Sequence, residues 1–453
     1  MQQAKFLQGS ILKHVITMSS ANAIGLSAIF IVDLVDIYFI SLLQNNAYTA
    51  AIGYASAIIF FTTAMSIGLT IGNSAIVSKY IGKNKRHIAK QFVSHNSLIS
   101  FLLSLFIAIV IWIWAPTLLT IIGAQGDELS EAIIYLRIMA PSIPILAITM
   151  QMNSTLRSIG DAKHAMYSTL LAGVVNAVLD PIFIFTVGLD LQGAAIASVI
   201  ARCCALLLSI FYVLYRHKMM ALFNIKKLPN DLKKFAHVAI PAMLTQIATP
   251  LGNIYIIYEV AKFGTEYIAG WAIIGRVIPV AFGMMFALSG AIGPIIGQNY
   301  GALKFTRVRN VLSEALKFMT AYCLVVSLFL SFSQESIVCI FNAEGGTAEI
   351  IRIFCQHISI TFIFTGITFV AMTFFNNLGY AKYATLFNIA KMSLGTIPFV
   401  SIGAHYYSAP GILYGQALGS IVFGFIALFL TIYLMGHVEA NHQAENNDQH
   451  STY

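Results

Sequence analysis

Long apolar runs recur along almost the whole chain, and they limit its fold more than any other feature. The segment from Leu98 to Thr117 contains no ionisable side chain, and Gly411 to Met435 is similar. Each is long enough to cross a bilayer core of about 30 Å as a helix. Only 10% of the 453 residues are charged and 58% are hydrophobic. We therefore predict an all-α integral membrane protein.

The hydropathy pattern predicts twelve transmembrane helices. They fall at 15–41, 50–78, 92–114, 131–156, 164–187, 192–214, 237–261, 268–297, 313–333, 350–377, 383–405 and 411–435. The connection from Arg216 to Lys234 is the longest and most basic, and it lies at the midpoint. We therefore predict an N-terminal lobe over 1–215, a linker over 216–236, a C-terminal lobe over 237–436 and a polar tail over 437–453.

The two halves share local signals at an offset of 219 residues. The matched pairs are Tyr48 with Tyr267, Ala50 with Ala269, Gly82 with Gly301, Lys85 with Lys304, Gly160 with Gly379, Ala162 with Ala381 and Lys163 with Lys382. Gly193 matches Gly411 at 218. A repeat of six helices keeps its orientation in the membrane. This predicts two six-helix bundles related by a pseudo-two-fold axis along the membrane normal.

Lys and Arg residues concentrate in alternate connections. The cations of these connections include Lys79, Lys83, Lys85, Arg86, Lys90, Arg157, Lys163, Arg216, Lys218, Lys226, Lys227, Lys233, Lys234, Lys304, Arg307, Arg309 and Lys382. The positive-inside rule then places these loops and both termini in the cytoplasm, as expected for a multi-pass protein of a bacterial-type inner membrane. The net charge of +8 is thus a topology signal and does not indicate nucleic-acid binding.

Four acidic residues fall inside the predicted spans: Asp33, Asp36, Asp180 and Glu259. An ionised carboxylate at the bilayer centre costs about 2.5 kcal/mol or more, so such residues are functional candidates. Asp33 and Asp36 share a helix face, and Asn176 lies one turn before Asp180. For Asp33 and Glu259, the alternative is that the acid caps a helix end or pairs with a neighbouring base.

Paired carboxyl groups in a low dielectric resist simultaneous ionisation, so the pair Asp36 and Asp180 is expected to accept a proton. The same oxygen atoms, with Asn176, provide the hard ligands that a sodium ion prefers. At the 219 offset Asp36 maps to Tyr255, and no acid matches Asp180. We therefore predict ion coupling in the N-terminal lobe alone.

Five motifs together resemble the multidrug and toxic compound extrusion (MATE) transporters over essentially the whole chain. They are VDIYFIS around Asp36, IGK at 81–83, LRSIGDAK at 156–163, NAVLDPIF at 176–183 and GAAIAS at 193–198. The resemblance implies two bundles of six helices in a V shape. It also implies proton- or sodium-driven export of organic cations and amphipathic toxins.

The resemblance also implies roles for individual residues. In the DinF-like branch, the positions of Asp36, Asn176 and Asp180 form a cation site, with hydrogen bonds from the positions of Tyr135 and Ser198. The NorM branch has an acid at the position of Tyr255, so the tyrosine favours the DinF-like branch. That branch often has a proline in the first helix where this chain has Ala21.

The sequence predicts a secondary active exporter of small drugs or toxins that works as a monomer in lipid and needs no cofactor. A wide, adaptable cavity suits such substrates. Candidate lining residues are Met150, Met152, Asn153, Gln246 and Tyr255.

Other functions lack support in the sequence. A flippase for lipid-linked oligosaccharides is the nearest alternative, but the intramembrane bases Arg137, Arg202, Arg276 and Lys391 are scattered over four helices. An uncoupled channel is a third class. No phosphate-binding loop, HExxH helix or GxSxG elbow is present, which argues against an enzyme.

Overall fold

The computed structural model describes residues 4–451, and these residues form helices and short connections without a strand. The α-helices are α1 (Ile11–Ser41), α2 (Asn46–Gly82), α3 (Arg86–Ile122), α4 (Gly126–Met139), α5 (Ser142–Ser158), α6 (Ala162–Pro181), α7 (Asp190–Phe211), α8 (Leu228–Ala261), α9 (Thr265–Ala281), α10 (Gly283–Gly301), α11 (Phe305–Ile340), α12 (Gly345–Ile353), α13 (Phe362–Leu378), α14 (Ala381–Ser393) and α15 (Ile397–Ser451). Residues 1–3 and 452–453, at the ends of the predicted N-terminal lobe and tail, lie outside the described residues.

Two predicted spans are bent pairs of helices. α4 and α5 meet at 47°, and α9 and α10 meet at 46°. Pro141 precedes α5, and Pro279 lies in the last turn of α9. Proline lacks an N–H group and disrupts the backbone ladder, so a bend at each position is expected. The pattern of apolar residues could not reveal these bends, because it continues across them.

α15 contains parts of two predicted spans, because the backbone at Tyr407 and Ser408 is not helical and Ser408 has φ 55°. Around this break the chain folds back on itself. A Cβ atom added to Gly403 would collide with the backbone of Gly411, and one added to Gly419 would collide with Gly395. Small residues allow such close helix packing.

Nine stretches among the described residues are long and apolar enough to cross a membrane, and the two bent pairs raise the number to eleven. One of these stretches, Ala381–Ala444, contains the reversal at Ser408 and therefore supplies two spans. The count reaches the predicted twelve.

Short irregular turns follow several helices. A π-helical turn, Ile182–Thr186, follows Pro181 at the end of α6, and a second, Tyr212–Arg216, follows α7. The tenth predicted span also contains a break, with a π-helical turn at Phe354–Ile358 and a 3₁₀ turn at Ser359–Thr361. These turns shift the direction of the side chains that follow them.

The chain divides into two compact units. Unit 1 contains Ala21–Met243 with Met1–Lys5, and unit 2 contains Leu244–Tyr453 with Phe6–Ser20. The division therefore falls inside α8, later than the linker predicted at 216–236. Residues 437–451, predicted as a polar tail, continue α15 as a helix.

The predicted linker is bound to unit 1. The carboxylate of Asp231 accepts hydrogen bonds from Gln91 at 2.6 Å and from His95 at 2.8 Å, and Ser94 is hydrogen-bonded to the backbone of Ala221. Asp231 and His95 are buried. These contacts explain why the compact unit extends beyond residue 216.

Unit 2 holds the beginning of the chain in a similar way. Phe6 is fully buried, and its N–H donates to Oε1 of Gln298 at 3.0 Å. Its carbonyl accepts from Asn299 at 3.2 Å and from Arg307 at 3.0 Å. Residues before the first membrane helix are thus part of the packed structure.

Candidate functional site

The carboxyl groups of Asp36, on α1, and Asp180, on α6, lie within hydrogen-bonding distance of each other in unit 1. Nδ2 of Asn176 donates to Oδ1 of Asp180 at 2.9 Å. Asp180 is 0% exposed and Asn176 is 4% exposed, while Asp36 is half-buried. The structure therefore brings together the three residues that the sequence predicted as the core of the cation site.

Helix geometry and one glycine explain this meeting. Asn176 and Asp180 are four residues apart on α6, so they lie on the same helix face. At Gly173, one turn earlier, an added Cβ atom would lie 3.1 Å from Cγ2 of Val32 on α1. Because Gly173 has no side chain, α1 and α6 approach closely beside the carboxyl pair.

One oxygen atom of each carboxyl group lacks a partner. Oδ1 of Asp36 and Oδ2 of Asp180 are buried and accept no hydrogen bond from a donor group of the described residues. An unsatisfied buried acceptor is costly. A proton shared between the two carboxyl groups, or a small cation bound to their oxygen atoms, would remove this cost.

The two hydroxyl residues that the family resemblance implied, Tyr135 and Ser198, differ in their surroundings. Tyr135, on α4, is 8% exposed and lies within electrostatic range of Asp36 and Asp180. Ser198 is half-buried on α7. Among the described side chains, neither Tyr135 nor Ser198 makes a hydrogen bond to either carboxyl group, and their roles as donors remain predictions.

Sequence reasoning missed Arg202 as a neighbour of this site. Arg202, on α7, donates to Oγ of Ser142 at 2.7 Å and interacts electrostatically with Asp33 and Tyr135. The sequence interpretation treated it as one of four scattered bases. The available signal was its spacing, because Arg202 lies one helical turn after Ser198 and shares its face.

The other two intramembrane acids have basic neighbours. Asp33 is exposed and interacts electrostatically with Arg202. Glu259, in unit 2, forms an ion pair with Lys262 at 2.7 Å. For Glu259 the structure favours pairing with a base, whereas Asp33 forms no ion pair in the described part of the chain.

The candidate substrate-lining residues differ in their surroundings. Met152 is 1% exposed and packs in the core of unit 1 near Leu156. Oδ1 of Asn153 accepts from Ser168 at 2.7 Å. Met150 and Gln246 are half-buried.

Unit 2 has a neutral contact between the corresponding helices. The hydroxyl of Tyr255, at the position matching Asp36, lies 2.6 Å from Oγ of Ser401. α8, which carries Tyr255, corresponds to α1, and the first part of α15 corresponds to the end of α6. The contact in unit 2 that corresponds to the carboxyl pair therefore contains no acid, as the 219-residue offset predicted.

A fold of about twelve apolar helices with a buried carboxyl pair in one half is typical of an ion-coupled membrane transporter. The family model MatE matches residues 23–182 and 241–402. The two stretches begin 218 residues apart (241 − 23) and end 220 apart (402 − 182), in agreement with the repeat. The chain belongs to the MATE family of transporters, which confirms the family that the motifs indicated.

Similar proteins of known name cover almost the whole chain. The FAD transporter of Shewanella oneidensis is 27% identical over 430 residues, which are 94% of this chain and 95% of that protein. The multidrug export protein MepA of Staphylococcus haemolyticus is 25% identical over 431 residues, 94% of each. These relatives are transporters, so the comparisons support a transporter and not an enzyme.

Solved structures agree with the fold. The crystal structure of the Vibrio cholerae MATE transporter VcmN in its bent form has a TM-score of 0.90 and 25% identity, and the match covers 95% of this chain and 98% of that one. An outward-facing MATE family transporter has a TM-score of 0.91 at 21% identity. The predicted all-helical membrane fold with twelve spans is confirmed.

Proposed function

We propose that this protein exports small amphipathic or cationic molecules in exchange for protons or sodium ions, and that Asp36 and Asp180 hold the coupling ion. One observation carries the proposal. Two carboxyl groups on different helices face each other, and each has a buried oxygen atom without a hydrogen-bond donor among the described residues. Such a pair needs a proton or a cation to be stable.

The occupancy of the pair would be linked to the separation of α1 and α6. With a proton or sodium ion bound, the two carboxyl groups attract each other through it, and without the ion they repel. A substrate that binds one of these two arrangements better lowers the affinity for the ion by the same factor. Ion and substrate then exclude each other, which is the requirement for antiport.

α1 would transmit this change without a proline kink. It is one continuous helix from Ile11 to Ser41 and has Ala21 where related proteins often have proline. Gly25 faces Thr169 of α6, and a Cβ atom added to Gly25 would lie 3.8 Å from Cβ of Thr169. We infer that α1 moves by changing its packing on α6, with Gly25 and Gly173 as the contact points.

Substrates would enter from the side of the basic loops. The positive-inside rule assigns these loops, and with them both chain termini, to the cytoplasm of a bacterial-type cell. We propose that the protein acts in the inner membrane as a monomer without an organic cofactor. The proposed substrate lining keeps the predicted residues Met150, Met152, Asn153, Gln246 and Tyr255.

A second substrate class is an anionic dinucleotide of the FAD type. The Shewanella oneidensis relative, whose name states that it transports FAD, matches 94% of this chain. Arg202 supplies a half-buried positive charge beside Asp33 and Tyr135. The MepA relatives support the drug-export alternative, and a transport assay with both substrates decides between them.

Everted membrane vesicles incubated with either ethidium or FAD in the medium would test the proposal, with proton and sodium gradients imposed separately. We expect uptake into the vesicles with one gradient and none without it. A channel needs no gradient, and a lipid flippase moves neither compound. Asp36→Asn should abolish the gradient-driven uptake, while Asp127→Asn, the same change at an exposed helix start, should leave it unchanged. Retained uptake in correctly inserted Asp36→Asn protein would contradict the proposal.

A further inference from the structure

One end of unit 1 contains a cavity of about 630 Å³ that is separate from the carboxyl pair. Four chain segments meet there: the beginning of the chain, the α2–α3 connection, the α5–α6 connection and the residues after α7. All of these connections belong to the basic set. The cavity is within the range of about 300–1,000 Å³ that is typical of small-molecule sites.

The cavity lining has an excess of positive charge. Lys5, Arg86 and Arg216 are in the lining, and Asp161 is its only acidic residue among those that the structure describes. Asp161 already has partners, because its Oδ2 accepts hydrogen bonds from Nδ1 of His164 and from Nε2 of His217, both at 2.6 Å. The lining therefore has three cations and one acid, a formal net charge of +2 (3 − 1, His neutral).

Two of the cations are held by uncharged acceptors. Nζ of Lys5 donates to the carbonyl of Gly160 at 2.7 Å, and Arg86 donates to the carbonyl of His217 at 2.9 Å. Lys5 and Arg216 form no ion pair with any acid in the described part of the chain. The ammonium of Lys5 is thus oriented, and neither Lys5 nor Arg216 has an anionic partner among the described residues.

The backbone at Gly160 is built around Lys5. Gly160 has φ +88°, a conformation that residues with a side chain rarely adopt. An added Cβ atom would lie 2.6 Å from Cδ of Lys5. The glycine therefore allows the lysine stem to cross the loop and fixes the position of its ammonium group.

Two helices also begin at this cavity. Arg86 is the first residue of α3, and Asp161 is the N-cap of α6. The N-terminal end of a helix carries a partial positive charge and N–H groups that lack partners within the helix. Both helix ends add to the positive potential of the three cations.

We propose that this cavity binds a phosphate group, either of a soluble phosphoester or of an anionic lipid headgroup. Arg216 and Lys5 would contact the phosphate oxygen atoms directly, because an ammonium and a guanidinium form strong charge-assisted hydrogen bonds to phosphate. Arg86 would position the chain after α7 through the carbonyl of His217. The site lies outside the carboxyl pair, so its occupancy does not depend on the proposed antiport.

A metal ion is the competing ligand. The oxygen of Asp161 and the ring nitrogen atoms of His164 and His217 lie within 4.8 Å of one another, as ligands of a metal ion could. Three neighbouring cations repel a divalent metal and attract an anion. The charge of the cavity therefore favours phosphate.

Calorimetric titration of the purified full-length protein with inorganic pyrophosphate tests the site. We expect the double variant Lys5→Gln/Arg216→Gln to weaken binding by about tenfold or more, since each hydrogen bond to a charged group contributes strongly. The matched control is Lys83→Gln/Lys85→Gln, which removes two exposed cations of the adjacent loop that do not line the cavity. The control should change the affinity by less than about twofold.

A second arm distinguishes the two sources of phosphate. The protein in nanodiscs of phosphatidylcholine, with or without phosphatidylglycerol, is tested for lipid retention by native mass spectrometry. Pyrophosphate binding that is lost in the cavity variant indicates a soluble phosphoester, and selective loss of retained phosphatidylglycerol indicates a lipid. The proposal is overturned if both variants behave alike in both arms, or if Zn²⁺ binds and neither phosphate ligand does.

Discussion

The two units join corresponding helices through side chains of different chemistry. In unit 1 the first helix of the half contacts its fifth span through two carboxyl groups, Asp36 and Asp180. In unit 2 the corresponding contact joins the hydroxyl groups of Tyr255 and Ser401 at 2.6 Å. A hydroxyl pair is satisfied without an ion, whereas a carboxyl pair is not. Only the first contact can therefore respond to a coupling ion.

A similar difference between the two units is found where α6 and α14 begin. Both helix starts lie at the end of their unit that carries the basic loops. Asp161 begins α6 in unit 1, and Tyr380 begins α14 at the matching position in unit 2. The side chain of Asp161 accepts from the N–H of His164, while Tyr380 makes no capping hydrogen bond. The duplicated fold thus tolerates loss of an acid at both places. We infer that the acids remain in unit 1 for function.

The largest expected effect is on ion coupling in unit 1. In wild-type protein, substrate affinity should change between pH 5.5 and pH 8 by about 5-fold to 150-fold, the usual range for coupled sites. Asp180→Asn should make the affinity nearly independent of pH, because the pair can no longer exchange its proton. Fluorescence titration of ethidium at the two pH values measures this. If the substrate affinity of Asp180→Asn changed with pH as much as that of the wild type, the two units would not differ in ion coupling.

Close packing of α1 on α6 should matter almost as much as the acids themselves. Gly173→Leu places a side chain where a Cβ atom alone would lie 3.1 Å from Val32. Overpacking of this kind costs about 1–3 kcal/mol and should separate the carboxyl groups. The control is Gly53→Leu on α2, where an added Cβ atom meets nothing within 4 Å. The midpoint of chemical denaturation and the rate of gradient-driven uptake should both decrease for Gly173→Leu. Neither should change for Gly53→Leu.

Much of this comparison was predictable from the sequence, because the bilayer imposes simple rules. Apolar runs must be helices, and Asn176 must share a face with Asp180 at a spacing of four residues. The lack of acids at the positions of the second half that match Asp36 and Asp180 followed from the 219-residue repeat. These features depend on local spacing and composition, which the sequence states directly.

Other features depend on how each helix is rotated against its neighbours, and the sequence does not state this. The burial of Met152 and the approach of Arg202 to Asp33 both result from packing between helices. Apolar patterning also cannot locate a bend such as the 47° turn between α4 and α5. In a membrane helix, lipid-facing and protein-facing residues are equally apolar, so the rotation is especially hard to predict.

A smaller effect, on the free energy of unfolding, is expected for Asp161, an acid outside the membrane spans. Burial alone would raise the pKa of Asp161, but the hydrogen bonds from His217 and His164 lower this pKa to about 2. The ionised group therefore stabilises the folded protein above pH 4, and this stabilisation declines as the pH falls from about 4 towards 2. Asp161→Asn should cost about 1–2 kcal/mol at pH 7 after screening by solvent. Tyr380→Phe, the matched change in unit 2, should have no pH-dependent effect in the same unfolding assay.

The smallest effect is expected from the neutral contact of unit 2. Tyr255→Phe removes a hydrogen bond to Ser401, and such bonds between membrane helices contribute about 0.6 kcal/mol. Because no ionisable carboxyl group takes part, the pH response of substrate binding should stay at its wild-type size while stability decreases slightly. Tyr255→Phe should therefore lower stability and keep the pH response, whereas Asp180→Asn should remove the pH response. If Tyr255→Phe abolished the pH response without unfolding the protein, coupling would extend into unit 2, and the difference between a carboxyl and a hydroxyl contact could not explain where the ion acts.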